Sequence, residues 1–197
     1  LRDGNERFRT GRPLTRDLTE LRRRGAFERH PLAVILSGSS SRTPVELLFD
    51  VGPGEVFCTR TTGNTAHPST LASLEYACSV AGAKVVVVLG HSDNKAVRLA
   101  FDLAARPDSE VLPRDCVHLE AVLGEIQQVI TAEQRAAWNA QPSEDERSVL
   151  VDAVSRAHVE QTLRLITERS PALARYVREG KVLLVGAMYD LRSGGVE

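Results

Sequence analysis

Cysteine is scarce here: the chain has three in 197 residues, Cys58, Cys78 and Cys116. They are odd in number, widely spaced and form no Cys-x-x-Cys pair. That argues against a disulfide scaffold and fits a reducing cytoplasm. Long apolar runs are missing as well, and none approaches the roughly 20 residues of a membrane span. Charge of one sign is missing too. The formal net charge is -1, which leaves no overall field to draw nucleic acid or an anionic membrane. No signal peptide opens the chain. Internal repeats, low-complexity tracts and a clear linker are all lacking, so the expectation is one domain over residues 1–197, with an N-terminal arm to residue 30 and an α/β core after it. The chain opens at Leu1 and not at Met, which fits a piece cut from a longer polypeptide.

What is present is the balance of a globular protein, with 42% apolar and 26% charged residues, on a chain long enough to bury a sizeable core. Leu32 to Ser37, Glu55 to Arg60, Lys84 to Leu89 and Lys181 to Tyr189 read as strands. Helical spacing runs through Ser69 to Ala81, with Leu71, Leu74, Ala77 and Cys78 on one face. A second helix, Lys95 to Ala105, sets Ala96, Leu99, Ala100 and Leu103 together. Val45 to Phe49 reads as a short helix. Val117 to Trp138 and Ser143 to Arg169 read as longer helical regions, the second opened by a Ser143–Glu146 capping box. Leu1 to Gly11 and Asp17 to Arg29 form a charged arm. Its few apolar residues, among them Phe8 and Phe27, suit packing on another surface, such as a second subunit.

Continuous apolar strands separated by helices indicate a mainly parallel sheet covered on both faces, so the fold class is α/β. Ligands in such sheets bind beyond the carboxyl ends of the strands. Three loops fall there: Ser37 to Arg42, Arg60 to Pro68, and Gly90 to Lys95.

These loops carry a resemblance. "SGSSSR", "RTTGN", "SLEYA", "GHSDNKAV" and the closing "GKVLLVGAMYDLRSGGV" follow one another in the order seen in the β-class carbonic anhydrases. The opening "LRDGNERFRTGRPLTRD" is similar to the arm of versions fused behind sulfate-permease-type anion transporters. The resemblance implies a β-carbonic-anhydrase fold, a homodimer, and a zinc held by two cysteines and one histidine. It also implies a cytoplasmic domain, whether or not a membrane anion transporter shares the polypeptide.

Set against that pattern, Gly38 stands at the first zinc cysteine, Ser40 at the aspartate and Asn94 at the second cysteine. Arg42 and His91 match the pattern, and Lys95 replaces a glycine. A zinc site needs three or four N, S or O ligands. The expectation is therefore a degenerate, non-catalytic domain with no cofactor and zinc absent, serving dimerisation, regulation or anion sensing. The small anion, bicarbonate or sulfate, would meet Arg42, Lys95, Ser39, Ser41 and His91. The alternative is an active carbonic anhydrase with a rebuilt metal site, for which Cys58, His67 and His91 are the candidate ligands. Metal-free chemistry would have only His91, with Asp93 two residues on, to serve Ser39 to Ser41.

Overall fold

Short runs of β-branched and aliphatic residues pair into one parallel sheet. These are β1 (Ala33–Ser37), β2 (Val56–Arg60), β3 (Val85–His91) and β4 (Leu183–Tyr189), in the order β2-β1-β3-β4. The coordinates are a computed structural model describing residues 1–25, 31–105, 112 and 115–197. Register sets Leu36 beside Val88, and Val88 beside Gly186. The helices are α1 (Arg2–Arg9), α2 (Leu18–Gly25), α3 (Val45–Leu48), α4 (Pro68–Ser79), α5 (Lys95–Ala105), α6 (Val117–Gln127), α7 (Ala132–Asn139), α8 (Glu144–Arg169) and α9 (Pro171–Arg178).

Side chains alternate across the sheet with the period of two that pleating dictates. Val34, Leu36, Val86 and Val88 face α4 and α8, where Leu74, Ala77, Val159 and Ile166 meet them. Ile35, Val87 and Leu89 face the other way, onto Val45, Leu48 and Phe49. Burial on both faces explains why β1 reads as an unbroken apolar run. At Gly90 the sheet has no room for a side chain, because a Cβ there would come within 2.6 Å of Met188 Sδ and 2.7 Å of Val159 Cγ2. A separate cluster joins α5 to α6, α7 and α8 around Phe101, Leu123 and Trp138. The Phe101 and Trp138 rings stack at 4.5 Å, and Trp138 Nε1–H donates to Asp102 Oδ1 at 3.1 Å.

The structure departs from the sequence-based expectations at several elements. Val117 to Trp138 is two helices, because Thr131 forms its own capping box with Gln134 and starts α7 anew. The buried face of α5 centres on Val97, Ala100 and Phe101, while Leu99 and Leu103 only flank it. α9 was not anticipated; Ser170 caps it by accepting from Leu173 N–H. The Ser143–Glu146 capping box is present as expected.

The first 16 residues of the arm contact the core of the same chain. Asn5 Nδ2 donates to Leu48 O and Gly194 O, and Val196 N–H donates to Asn5 Oδ1 at 2.9 Å. Phe8 packs against the cluster around Leu48 and Phe49. Asp50 holds the arm between residues 7 and 16 by accepting from Arg7, Arg16 and Leu14 N–H. Burial alone would raise the Asp50 carboxyl, but the Arg7 and Arg16 hydrogen bonds outweigh it and bring it to about 2. Of the expected arm, residues 26–29, including Phe27, lie outside the described residues.

Candidate functional site

The chain leaves β1 for β2 toward one edge of the sheet and leaves β3 for β4 toward the other. The carboxyl ends of β1 and β3 therefore diverge and leave a crevice. A cleft of about 280 Å³ opens there, walled by Gly38 to Ser40, Arg42, the Thr62–Asn64 turn, His91 and the start of α5. All three loops singled out from the sequence reach it.

The first loop is held by side chains that donate to its backbone carbonyls. Thr43 Oγ1–H donates to Ser40 O at 2.9 Å. Arg60 Nε–H donates to Gly38 O at 3.2 Å, and its Nη2 donates to Ser40 O. Arg60 thus splints the loop from the end of β2, a role its position at a strand end does not reveal. Arg42 Nη1 donates to Asp93 Oδ2 at 2.9 Å and Nη2 to Asp93 O at 3.3 Å, while Nε–H reaches Ser40 Oγ at 3.4 Å. With serine at position 40, the carboxylate that meets Arg42 comes from the third loop. This pair is exposed on both sides, so it contributes on the order of 0–1 kcal/mol.

His91 ends β3 and is buried. Its Nδ1 lies 2.8 Å from Ser92 O. A carbonyl only accepts, so Nδ1 carries the proton and Nε2 keeps its lone pair. Burial lowers the His91 pKa, against the opposing pull of the Ser92 carbonyl, which keeps the ring neutral near pH 7. A Cβ placed on Gly38 would stand 3.6 Å from that Nε2, so the space for a side chain beside the imidazole exists. Asn94 is engaged elsewhere. Its Oδ1 accepts from Ala96 N–H at 3.0 Å and caps the start of α5. Lys95 and Ala96, the first turn of α5, line the cleft, and a helix start favours an anion.

The sequence candidates divide accordingly. Gly38, Ser39, Ser40, Arg42, His91, Asn94 and Lys95 all line the cleft, whereas Ser41 does not and is exposed. Cys58, His67 and His91 are not gathered into a ligand set: among the described residues no three His, Cys, Asp or Glu side chains could hold a metal together. Burial, then the neighbouring Glu46, push the Cys58 thiol up to about 12, so it stays protonated and a poor ligand. The side chains present therefore do not fit a site of two thiolates and one imidazole; they supply one metal-competent nitrogen, His91 Nε2. Asn64 was missed as part of the cleft, and Asp93 as the partner of Arg42. "RTTGN" signalled a turn but not which side chain it would bury.

The model of the carbonic anhydrase family matches residues 33–196. "Carbonic anhydrase 2" of Mycobacterium tuberculosis is 33% identical over 98% of this chain and 87% of that protein. "Carbonic anhydrase" of Mycolicibacterium smegmatis is 33% identical over 100% of this chain and 89% of that protein. Among solved structures, a tetrameric β-carbonic anhydrase of Sordaria macrospora matches with a TM-score of 0.74 at 22% identity, covering 91% of this chain and 85% of that one. The β-carbonic anhydrase CafA of Aspergillus fumigatus matches with a TM-score of 0.70 at 27% identity, covering 91% of this chain and 80% of that one.

Matches of this extent to proteins named as carbonic anhydrases overturn two expectations, that the chain is not an enzyme and that its cofactor is none. Gly38, Ser40 and Asn94 are differences of donor set, not grounds for excluding catalysis. The physical reason for the correction is that a count of missing ligands at three positions says nothing of the chemistry retained by the rest of the scaffold. Among the described residues no helix is long and apolar enough to cross a membrane.

Proposed function

The chain belongs to the carbonic anhydrase family, and from that membership we propose that it interconverts carbon dioxide and bicarbonate at the cleft between β1 and β3. The observation that carries this reading is the 33% identity to carbonic anhydrases over nearly the whole chain. It favours the enzyme over a purely regulatory or anion-sensing module.

The cleft's own residues support it. Hydration of carbon dioxide yields an anion and a proton. The anion side is served by Arg42, Lys95 and the first turn of α5, with the Ser39 hydroxyl at the rim. The proton side is served by His91, which is neutral, buried and has the Nε2 lone pair turned to the Gly38 space. No step is assigned to a metal, because the side chains present do not match the family's ligand set.

The test is stopped-flow carbon dioxide hydration, with metal content measured on the same sample. Acceleration above the uncatalysed rate is expected. A folded chain that gives none, with or without added zinc, overturns the reading. A parallel sample carrying Gly38→Cys, Ser40→Asp and Asn94→Cys checks the scaffold. It should take up zinc and hydrate faster, since position 38 has room beside His91; loss of the Asn94 cap costs it about 1 kcal/mol of stability.

Assembly as a homodimer is a further part of this proposal. β2 is one of the sheet's two edge strands, and Val56, Phe57 and Cys58 on it are only half-buried. Leu32 beside it is 62% exposed and Tyr76, edge-on to Phe57, is 49% exposed. An open edge with apolar neighbours is a surface that a second copy would cover.

A further inference from the structure

We propose that Asn64 is a ligand-binding residue of the cleft, donating its side-chain amide to the bound anion. This deepens the reading of the cleft given above and rests on it.

Asn64 lines the cleft, is 3% exposed, and its Nδ2 has no hydrogen-bond partner among the described residues. A buried amide with an unmet N–H is costly, and native proteins keep such groups for a reason. A small oxyanion seated between Asn64 and the start of α5 would meet it.

The backbone is arranged to hold this amide where it is. Asn64 has φ 38 and Gly63 before it has φ 74, both left-handed. Asn tolerates that region better than most residues, but it is still sparsely populated, and such conformations persist where the surroundings over-determine them. Here they do. His158 sits fully buried on α8, and its Nε2–H donates to Gly63 O at 2.7 Å. Asn64 N–H donates to Thr61 O at 3.0 Å. A Cβ on Gly63 would come within 2.7 Å of Val122 Cγ1, so the turn is pressed directly onto α6. Helices α6 and α8 together therefore fix the turn from beneath. Lys95 and the N-terminal turn of α5 line the same cleft and carry the charge; the neutral amide would add direction. The ligand class is a small planar oxyanion, and bicarbonate is the probe.

The experiment follows the Asn64 side-chain amide signals by NMR during a sodium bicarbonate titration, against sodium chloride at equal ionic strength. A saturable shift of those signals with bicarbonate, and not with chloride, is expected. Asn64→Asp is isosteric and accepts the same backbone, and Asn64→Gly removes the side chain and accepts any backbone. Each should fold, as judged by its amide spectrum, and each should bind bicarbonate at least about tenfold more weakly, the loss of one good hydrogen bond to an anion. If the backbone amides at Gly38 and Lys95 shift while the Asn64 side chain does not, or if both variants bind as tightly as the native chain, the Asn64 assignment is overturned and the anion cleft stands. If no signal responds to bicarbonate, the cleft reading and this assignment fall together.

Discussion

Asp50 carries the attachment of the N-terminal arm. It is 6% exposed and accepts from two arginines and a backbone N–H, all from residues 7 to 16. Its carboxyl sits at about 2 in the folded chain, below the usual value near 3.9. The folded state therefore binds fewer protons here than the unfolded chain between those values. This contribution to stability is fully present above about pH 4 and is lost as pH falls through about 2. Asn at position 50 should cost about 2 kcal/mol at pH 7, since it removes charge-assisted hydrogen bonds yet tolerates the left-handed φ of 44 found there. Urea unfolding at pH 7 and near pH 2 checks this. The two proteins should differ at pH 7 and converge at pH 2, and equal stability at pH 7 counts against the clamp. At the same scale, the sequence showed which letters stand at 38, 40, 42, 91 and 94. It did not show that Asn94 caps α5 or that Asp93 supplies the carboxylate for Arg42. Both are contacts of particular atoms, and the second spans 51 residues.

The strands and most helices were legible because their signals are local. β1 and β3 are apolar from Ala33 to Leu36 and from Val85 to Leu89, as strands buried on both faces tend to be. Ser143 and Glu146 stand three residues apart just before an apolar periodic stretch. The break before α7 was missed because Thr131 and Gln134 form the same kind of box inside a region whose helical pattern runs on. The face of α5 was misjudged because Val97 and Phe101 lie as well on a helical stripe as Leu99 and Leu103 do, and only the packing of α6, α7 and α8 selects between them. Packing also sets a limit where β3, β4 and α8 meet. Ala at position 90 would press a methyl group onto Met188, which can swing away, and onto Val159, which cannot. Overpacking of this kind costs about 1–3 kcal/mol. A thermal scan should show Gly90→Ala melting lower by about 2–4 °C for each kcal/mol; an unchanged midpoint would mean the sheet and α8 separate freely at this point.

Across the whole molecule, the open edge at β2 and the exposed Leu32 and Tyr76 belong together. The homodimer proposed for this chain uses that edge. Light scattering after size-exclusion chromatography at micromolar concentration should give twice the 21.5 kDa chain mass. Charge placed on the edge by Phe57→Lys should shift the population toward the monomer without unfolding it, because Phe57 is only half-buried. A native chain that runs as a monomer at every concentration removes the dimer. The start of the arm packs beside α3 of the same chain, where Asn5 and Asp50 satisfy it.

The sequence by itself determined the parallel sheet, the order of the three loops and the identity of the residues at the strand ends. Those follow from side-chain periodicity and from the rule that parallel strands bring their carboxyl ends to one edge. Only the tertiary structure decided what each of those residues does. Arg42 meets Asp93, Arg60 splints the first loop, Asn94 caps a helix, and His158 reaches Gly63 from 95 residues away to set Asn64 in the cleft. These pairings depend on strand register and on where α6 and α8 cross the sheet, and no local propensity encodes either.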